Sequence, residues 1–358
     1  MVVDGLQSGT TYCFSVRALG KDGSSAPSPV HCHATREQTG ATTNVPVSVV
    51  TYNVCGTARG CGSWTKRRDA VLQQINRSRA DIVALQETGR RRTTLLGPMR
   101  KRGFEQIVYS RDEVLYARTS RFDLNVGEEL KPVCRDEPYT NPATTSQWKR
   151  ERRFFHWDGA SRTYYVLVGD QWYASRASCP QETVRVQSYT GYFPLAHGRE
   201  VQTAVLYDRL TGRSALVANT HLSNGRTRQA SRQRRLEVAR LLDKIAWLRP
   251  GRSTIVVGDF NSDATHADDV VGTAMKKAGF RDAFQNSATY TRPQLNSFNG
   301  YRRIPHRNDR WGGHIDRIFT SGSVVATDWE IVARTAKGRY AGRWASDHNP
   351  VRVSLRLP

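Results

Sequence analysis

Alternation of apolar and polar residues predicts the strands of this 358-residue chain. The predicted strands are VSVVTYNV (47–54), DIVALQE (81–87), VQTAVLYDR (201–209), SALVANTHL (214–222), STIVVGDF (253–260), HIDRIFTS (314–321), ATDWEIVAR (326–334) and PVRVSLRL (350–357). Strands outnumber helices, and the helices lie between groups of strands. This order favours a two-sheet α/β sandwich over a parallel, doubly wound sheet.

Two segments have the apolar spacing of helices. Residues 63–80 begin with Ser63 as a candidate N-cap and place Trp64, Val71, Leu72 and Ile75 on one face. Residues 226–249 predict a longer helix with an apolar face and an arginine face. The apolar face comprises Val238, Leu241, Leu242, Ile245 and Leu248, and the arginine face comprises Arg226, Arg228, Arg232, Arg234 and Arg235.

The first 35 residues have a different character from the rest. TYCFSVRAL predicts a strand, GKDGSSAPSP a turn and VHCHAT a second short strand, and two strands cannot bury a core alone. The segment 1–35, with GTTYCFSVRA, resembles the C-terminal third of a fibronectin type III domain, a partial β-sandwich. We therefore expect a chain truncated upstream, a polar linker at 36–46 (REQTGATTNVP), and a main domain at 47–358 with an insertion around 130–200.

Composition narrows the possible partners. Hydrophobic residues make up 38% and charged residues 24% of the chain, which allows a packed core. The sequence contains no run of 18 apolar residues, so it predicts no membrane span. The formal net charge of +22 favours polyanions such as nucleic acid, anionic lipid headgroups or phosphorylated sugars. An alternative source of the charge is a GC-rich genome, because 45 of the 54 basic residues are arginines.

The six cysteines indicate disulfides rather than metal binding. They lie at positions 13, 32, 55, 61, 134 and 179 without a CxxC pair, so zinc ribbons and thioredoxin-like motifs are not indicated. An even count favours an oxidising, secreted or extracytoplasmic location, although no signal peptide is visible. Nearest-neighbour pairing (13–32, 55–61 and 134–179) is the simplest of the 15 possible arrangements.

Polar residues recur where the predicted strands end. A single Asp or Asn at such a position is most simply a turn residue, as Asp263 is in IVVGDFNSD. The recurrence over nearly 300 residues instead predicts a site that gathers acids, amides and two histidines. Its candidate members are Asn53, Glu87, His221, Asp259, Asn261, Asp316, Asp347 and His348.

These residue types restrict the chemistry of the site. Glu87, Asp259, Asp316 and Asp347 offer hard oxygen ligands, which favour Mg²⁺ or Mn²⁺ over zinc. A hard cation beside two histidines and an Asn suits hydrolysis of a phosphate ester, because cation and imidazole counter the developing negative charge.

The ordered motifs YNVCG, LQE, NTHL, GDFN, HIDRIF and SDHNP resemble the endonuclease/exonuclease/phosphatase superfamily, which includes DNase I, over residues 46–358. The resemblance implies an α+β fold, a four-layer α/β/β/α sandwich with the site where the sheets open. It implies metal binding at Asn53 and Glu87, with Asp347 a metal ligand or a partner of His221. It further implies that His221 contacts the scissile phosphate, with a role as acid open to it, and that Asp259 orients or activates water. Asn261 would hold the phosphate or the nucleophile, Asp316 would orient one of the histidines, and His348 would act as a base or a transition-state stabiliser. The sequence departs from repair-type members at YNVCGTARGCGSW, where two cysteines follow Asn53.

The resemblance and the charge together predict a secreted, monomeric, Mg²⁺-dependent nuclease. The arginine face and the aromatics Trp172, Tyr173, Tyr192 and Trp311 would track phosphates and bases, unless they are a solvated face and core residues. The alternatives are a phosphatase or a phosphoesterase of the sphingomyelinase or inositol-phosphate type. If the substrate were a membrane lipid, the segments FFHWDG or QWYAS would contact the membrane. A third alternative, an adhesion protein with a dead site, conflicts with the complete polar set.

Overall fold

A computed structural model defines the architecture, which divides into two compact units, Met1–Thr43 and Asn44–Pro358. The structure describes residues 11–15, 17, 19–20, 23–34, 45–56, 59–123, 128–139, 155–158, 161, 163–168, 171–176, 178–179, 183–187, 190–248, 252–265, 269–305, 313–342 and 344–358.

The N-terminal unit is built from short antiparallel strands. β1 (Thr11–Phe14) pairs with β4 (His31–Ala34), and β2 (Leu19–Gly20) pairs with β3 (Gly23–Ser24). The Cys13–Cys32 disulfide joins residues directly opposite each other in β1 and β4. The fibronectin type III resemblance stays a prediction, and most of the predicted linker lies outside the described residues.

The second unit contains the remaining strands. They are β5 (Val47–Asn53), β6 (Ile82–Gln86), β7 (Phe104–Tyr109), β8 (Val114–Arg118), β9 (Phe122–Asp123), β10 (Glu128–Pro132), β11 (Cys134–Pro138), β12 (Phe155–Asp158), β13 (Thr163–Val168), β14 (Gln171–Ser175), β15 (Thr183–Gln187), β16 (Gly191–Pro194), β17 (Glu200–Asp208), β18 (Arg213–His221), β19 (Ser253–Asp259), β20 (Phe280–Asp282), β21 (Thr289–Thr291), β22 (Asp316–Ser321), β23 (Val325–Ile331), β24 (Thr335–Ala336), β25 (Arg339–Tyr340) and β26 (Val351–Arg356).

The described α-helices connect these strands. They are α1 (Trp64–Ser78), α2 (Arg92–Arg100), α3 (Arg228–Leu248), α4 (Val270–Lys277) and α5 (Ala283–Asn286), and short 3₁₀ turns occupy Arg59–Cys61 and Gly89–Arg91. The two helices predicted from the sequence correspond to α1 and α3, each a few residues shorter than predicted.

Two large mixed sheets form the body of the second unit. Sheet I has the strand order β21-β23-β26-β5-β6-β8-β7. Sheet II has the order β16-β17-β18-β19-β22-β20, and β9 pairs with β17. The central strands β5 and β6 run parallel, as do β18 and β19, whereas β22 runs antiparallel to β19.

The buried apolar residues form three layers of core that define the sandwich. Alternate residues such as Val49 of β5 and Val257 of β19 pack between the sheets. The opposite face of sheet I packs on α1 and α2, and the opposite face of sheet II packs on α3 and α4. The layer order is therefore α/β/β/α, and the sheet-rich α+β prediction is confirmed.

The segment between β9 and β16 forms its own small sheets. β11, β14, β13 and β12 make a four-stranded antiparallel sheet, and β10 pairs with β15. The disulfides join Cys134 to Cys179 in this segment and Cys55 to Cys61 after β5, which confirms the predicted pairing. None of the helices in the described part of the chain combines the length and the apolar character that a membrane span requires.

Candidate active site

Strand periodicity places three of the predicted residues side by side on the inner face of sheet II. Residues two apart in a strand point to the same face, so His221 and Asp259 continue the rows of inner core residues in β18 and β19. In the register of the sheet, His221 lies opposite Asp259, and Asp259 lies opposite Asp316 of β22. The sequence pattern therefore converges on one sheet end.

Asn53 joins the two sheets at this end. Its Nδ2 donates to Oε1 of Glu87 at 3.0 Å and to Oδ2 of Asp259 at 3.0 Å. The backbone N–H of Cys55 donates to Oδ1 of Asn53 at 2.9 Å, which fixes the orientation of the amide. Asn53 therefore orients the candidate metal ligand Glu87 with its NH₂ group, and its own role as a metal ligand stays a prediction.

Glu87 has an unusual backbone conformation. It follows the last residue of β6 with a φ of 56°, in the left-handed region that is uncommon for residues other than glycine. This conformation ends β6, and the Glu87 side chain lines the cleft beside Asp259.

His348 and Asp316 form a hydrogen-bonded pair. Nδ1 of His348 lies 2.8 Å from Oδ2 of Asp316, and both side chains are buried. Because Asp316 accepts at Nδ1, the opposite ring atom, Nε2, is directed toward Asp259 at 3.7 Å. The predicted orientation of a histidine by Asp316 matches this geometry.

Oδ2 of Asp259 lies close to both histidines of the site. It lies 3.5 Å from Nε2 of His221 and 3.7 Å from Nε2 of His348. Its second oxygen, Oδ1, accepts the backbone N–H of Asn261 at 3.0 Å. Asn261 has a φ of 49° and donates its Nδ2 to the carbonyl of Leu222 at 3.1 Å, which holds it at the cleft wall.

Asp347 completes the set from the loop before β26. Its Oδ1 lies 3.2 Å from Oγ of Ser346, a hydroxyl that also donates to the backbone carbonyl of Asn53 at 2.7 Å. The side chain of Asp347 is partly exposed and lines the cleft with Glu87. Adjacent Asp347 and His348 thus take separate positions, as expected of neighbours in extended chain.

A cleft of about 800 Å³ opens over these residues. The predicted residues that line it are Glu87, His221, Asp259, Asn261, Asp347 and His348. Asn53 and Asp316 are almost completely buried and support the lining residues from beneath. The structure therefore brings all of the predicted site residues together.

Neighbouring carboxylates separate the charge states of the two buried histidines. Burial lowers the pKa of His221 to about 4, so this ring is neutral at pH 7. Burial opposes a charge on His348 as well, but the carboxylates of Asp316 and Asp259 outweigh it and raise the pKa of His348 to about 10. One histidine is therefore neutral and the other cationic.

Burial also raises the pKa values of two carboxyl groups at the site. The pKa of Glu87 is raised by burial and by the charge of Asp259, although the hydrogen bond from Asn53 opposes this shift. The pKa of Asp259 is raised by burial and then by the charge of Asp316. These clustered carboxylates repel each other, so the cluster would be stabilised by a cation or a proton.

Two groups of side chains have the donor types of a metal site. Asp259, Asp316 and His348 each offer one ligand atom within 4.8 Å of the others. The hydrogen bond between His348 and Asp316, however, already engages one ligand atom of each of these two residues. Glu87 and Asp347 instead present carboxylates to the cleft, which makes them the more accessible cation ligands.

A layer of buried amide side chains, outside the set predicted from the sequence, lies directly below the site. Nε2 of Gln86 donates to Oδ1 of Asn219 at 2.8 Å, and Nδ2 of Asn219 donates to Oε1 of Gln202 at 3.0 Å. These fully buried amides lie on inner-face positions of β6, β18 and β17. The alternation of the strands could have revealed them, because each replaces an expected apolar residue.

Phe298 is a second residue of the site outside the predicted set. It is 45% exposed, lines the cleft, and packs edge-to-face on His348 with ring centroids 5.1 Å apart. It lies in the segment LNSFNG, which has no strand or helix pattern, so the sequence carries no signal for it.

Several residues predicted to bind nucleic acid have other positions. Arg226 and Arg228 line the cleft, but Arg234 is buried and donates to the carbonyls of Ser223 and Gly225 at 2.9 and 2.8 Å. The prediction that Arg234 belongs to an arginine face that tracks phosphates is wrong, and so is the alternative of a solvated face, because its buried guanidinium holds the loop after β18.

The predicted aromatic surface is also corrected in part. Trp172 is fully buried, so its assignment as an exposed stacking residue is wrong. Tyr173 and Tyr192 are partly buried and are not among the described residues that line the cleft. Trp311 lies outside the described residues.

Comparison with known proteins agrees with the fold and the motif order. The model of the Endonuclease/Exonuclease/phosphatase family matches residues 50–348. The chain belongs to this family. The predicted resemblance is thereby confirmed, and the coarse activity, hydrolysis of phosphate esters, follows from membership. No curated protein matches the chain.

Solved structures share the fold at low sequence identity. An endonuclease/exonuclease/phosphatase from Bacteroides vulgatus is 22% identical, with 88% of this chain and 100% of that chain covered and a TM-score of 0.55. The mannosyl-6-phosphatase of Bacteroides thetaiotaomicron is 19% identical, with 86% and 99% covered and a TM-score of 0.53. The human Nocturnin catalytic domain is 16% identical, with 87% and 95% covered and a TM-score of 0.51.

Proposed function

We propose that this chain is a metal-dependent phosphodiesterase that cleaves nucleic acid, with Mg²⁺ or Mn²⁺ held by Glu87 and Asp347. The observation that carries the proposal is the position of Asp259 Oδ2, within 3.5 and 3.7 Å of the Nε2 atoms of His221 and His348. This arrangement lies at the base of a cleft with arginines on its wall.

The residues at the site fit a hard divalent cation. Glu87 and Asp347 supply carboxylate oxygens, and all six cysteines are in disulfides, so thiolate ligands for softer metals are absent from the described site. The raised pKa of Glu87 adds support, because a bound cation would offset the burial of its charge. When bound, the cation would neutralise charge on the phosphoryl oxygens.

His348 has the properties of a transition-state stabiliser. Asp316 accepts its Nδ1–H, and the pKa of about 10 keeps the ring cationic at neutral pH. A cationic Nε2–H aimed into a buried site stabilises negative charge that develops on a phosphoryl oxygen. Of the two roles predicted for His348, base and stabiliser, the geometry supports the second.

Asp259 and His221 divide the remaining work. The Asp259 carboxylate, with its pKa raised by burial, would orient and deprotonate the attacking water. His221, with a pKa of about 4, is neutral and would hydrogen-bond the phosphate rather than donate a proton to the leaving group. Asn261, fixed to Asp259 and Leu222, would hold the phosphate at the cleft wall.

Three features support nucleic acid as the substrate. The net charge of +22 favours a polyanion, and Arg226 and Arg228 lie exposed on the cleft wall. Phe298 offers a partly exposed ring next to His348, where a base could stack.

The disulfides support the expected secreted or extracytoplasmic location.

The test compares substrate classes under matched conditions. The purified chain is incubated with plasmid DNA, single-stranded RNA, mannose 6-phosphate, inositol phosphates and sphingomyelin vesicles, each with Mg²⁺ or with EDTA. Mg²⁺-dependent cleavage of DNA or RNA is the expected result. Turnover of only the sugar, inositol or lipid substrates would overturn the nuclease assignment, and turnover that persists in EDTA would overturn the metal assignment.

A further inference from the structure

The loop between β5 and α1 contacts the three segments that carry Asn53, Glu87 and Asp347. We name it the clamp loop, residues 54–61, of which the structure describes 54–56 and 59–61. It follows Asn53 directly and ends at the 3₁₀ turn Arg59–Cys61. The Cys55–Cys61 disulfide closes it into a ring, and both cysteines are buried.

The first contacts of the clamp loop hold the Asn53–Glu87 pair. The N–H of Cys55 donates to Oδ1 of Asn53 at 2.9 Å, which turns the Asn53 NH₂ group toward Glu87. The N–H of Gly56 donates to the carbonyl of Glu87 at 2.7 Å. This approach is tight, since a Cβ at Gly56 would lie 2.5 Å from that carbonyl oxygen.

A second set of contacts joins the clamp loop to the loop that carries Asp347. The buried guanidinium of Arg67 donates Nη2 to the carbonyl of Cys55 at 2.8 Å. Its Nη1 donates to the carbonyl of Ala345 at 2.6 Å and to that of Val54 at 3.1 Å. Arg67 therefore fixes the backbone before Asp347 against the backbone after Asn53.

The disulfide itself lies against Asp347. The sulfur atoms of Cys55 and Cys61 and a carboxylate oxygen of Asp347 lie within 4.8 Å of one another. Cys55 has a φ of 50°, in the left-handed region, a conformation that persists in residues other than glycine only where the surroundings impose it. The ring closed by the disulfide is one such constraint.

We infer that the Cys55–Cys61 disulfide is a positioning element that sets the affinity of the Glu87–Asp347 site for its divalent cation. This inference rests on the proposed metal-dependent function. Reduction by a dithiol breaks the S–S bond, leaves two thiols on the chain and forms a cyclic disulfide in the reductant. Without the ring, the Cys55 backbone is free to leave the left-handed region, and Asn53 and Arg67 lose a fixed partner.

The expected size of the effect follows from groups that orient metal ligands. Loss of such a supporting group weakens metal binding by about 10–100-fold. The carboxylates remain in the reduced protein, so a high concentration of cation should restore turnover. A disulfide that only stabilised the fold would change the unfolding temperature without changing the affinity of the folded protein for the cation.

The experiment measures Mn²⁺ binding by calorimetry and by the electron paramagnetic resonance signal of bound Mn²⁺. A background variant C13S/C32S/C134S/C179S retains only the Cys55–Cys61 bond, so dithiothreitol acts on one disulfide. Circular dichroism and thermal unfolding establish that the oxidised and reduced samples are folded. Cys61→Ser in the otherwise unchanged chain opens the ring without a reductant and provides the second test. The double variant C134S/C179S is its matched control.

The expected result is a dissociation constant for Mn²⁺ that is about 10–100-fold higher after reduction and in Cys61→Ser, and unchanged in C134S/C179S. Reoxidation should restore the original affinity. Affinity within about twofold of the oxidised protein in a folded sample would overturn the inference, as would loss of folding in both ring-opened forms. Failure of the oxidised wild-type chain to bind Mn²⁺ would instead overturn the proposed metal site, and with it this inference.

Discussion

Nδ1 of His348 lies 2.8 Å from Oδ2 of Asp316, although the two residues are 32 positions apart in the chain. Asp316 begins β22, and His348 lies in the loop before β26, so the contact joins sheet II to a loop that belongs to sheet I. The pair fixes both the charge of His348 and the direction of its second nitrogen. It therefore makes the activity of His348 testable through Asp316.

Removal of the His348 ring should abolish most activity. We expect His348→Ala to lower kcat for nucleic acid cleavage by about 10²–10³-fold, because a buried cationic donor to the phosphoryl oxygens is lost. The fold should persist, as judged by circular dichroism. His314→Gln serves as a control, because His314 is buried away from the cleft between Phe284 and Trp329. A fully active His348→Ala would refute the assignment.

Asp316→Asn should shift the pH profile rather than only lower the rate. The Asp316 carboxylate raises the pKa of His348, so its removal lowers that pKa from about 10 toward or below the ordinary 6.5. Since the cationic ring is the active form, activity is present below this pKa and lost as pH rises through it. The alkaline limb of kcat against pH should therefore move to lower pH. An unchanged alkaline limb would contradict the role of Asp316.

Glu87→Gln should weaken cation binding directly. The substitution keeps the size of the side chain but removes a charged oxygen ligand, so we expect the dissociation constant for Mn²⁺ to rise by at least about tenfold. Calorimetric titration measures it. The matched control is Glu105→Gln, because Glu105 pairs with Arg100 on the surface. Equal Mn²⁺ affinity in Glu87→Gln and the wild type would move the cation site elsewhere.

Arg226 and Arg228 should set affinity for nucleic acid without affecting chemistry. We expect the double variant Arg226→Gln/Arg228→Gln to raise KM and to reduce the slope of log KM against log salt by about 0.9 for each lost phosphate contact, with kcat unchanged. Arg213→Gln/Lys277→Gln removes the same charge from exposed positions outside the described cleft lining. A similar loss in both variants would mean that net charge, not the cleft wall, attracts the substrate.

Gly258 is the residue that allows the site strands to pair. A Cβ at this position would lie 1.9 Å from the carbonyl oxygen of Thr220 on the neighbouring strand. We expect Gly258→Ala to lower the free energy of unfolding by at least about 2 kcal/mol, measured by urea denaturation. Gly322→Ala is the control, because Gly322 is exposed and a Cβ there would meet only the carbonyl oxygen of Gly279, at 3.9 Å, so the free energy of unfolding should change by no more than about 0.5 kcal/mol.

Much of the site was predictable because its signals are local. The period of two along a strand determines which residues share a face, so the polar ends of β5, β18 and β19 identify Asn53, His221 and Asp259 without further information. The same recurrence of polar residues at strand ends includes Glu87 and Asp347, and the structure brings these predicted residues together as well. The same local pattern predicted the strands that carry them.

The errors arise where an assignment depended on neighbours distant in sequence. Arg234 has the helical spacing of a solvated arginine, but the loop after β18 covers it and supplies carbonyl acceptors. The sequence leaves Trp172 open to two interpretations, a stacking residue on the surface or a core residue, and the structure buries it completely. In both residues the side-chain chemistry was known, and only the packing of other segments determined the exposure.

The sequence by itself determined the residue types of the site and the strands that present them. It allowed 15 pairings of the six cysteines, of which the structure contains the nearest-neighbour one. Only the tertiary structure decided that His348 is cationic and His221 neutral, that Asn53 turns its NH₂ group toward Glu87, and that the clamp loop touches Asp347. The physical reason is that periodicity is a property of adjacent residues. The charge state and orientation of a buried group depend instead on burial and on charges brought near it from elsewhere in the chain.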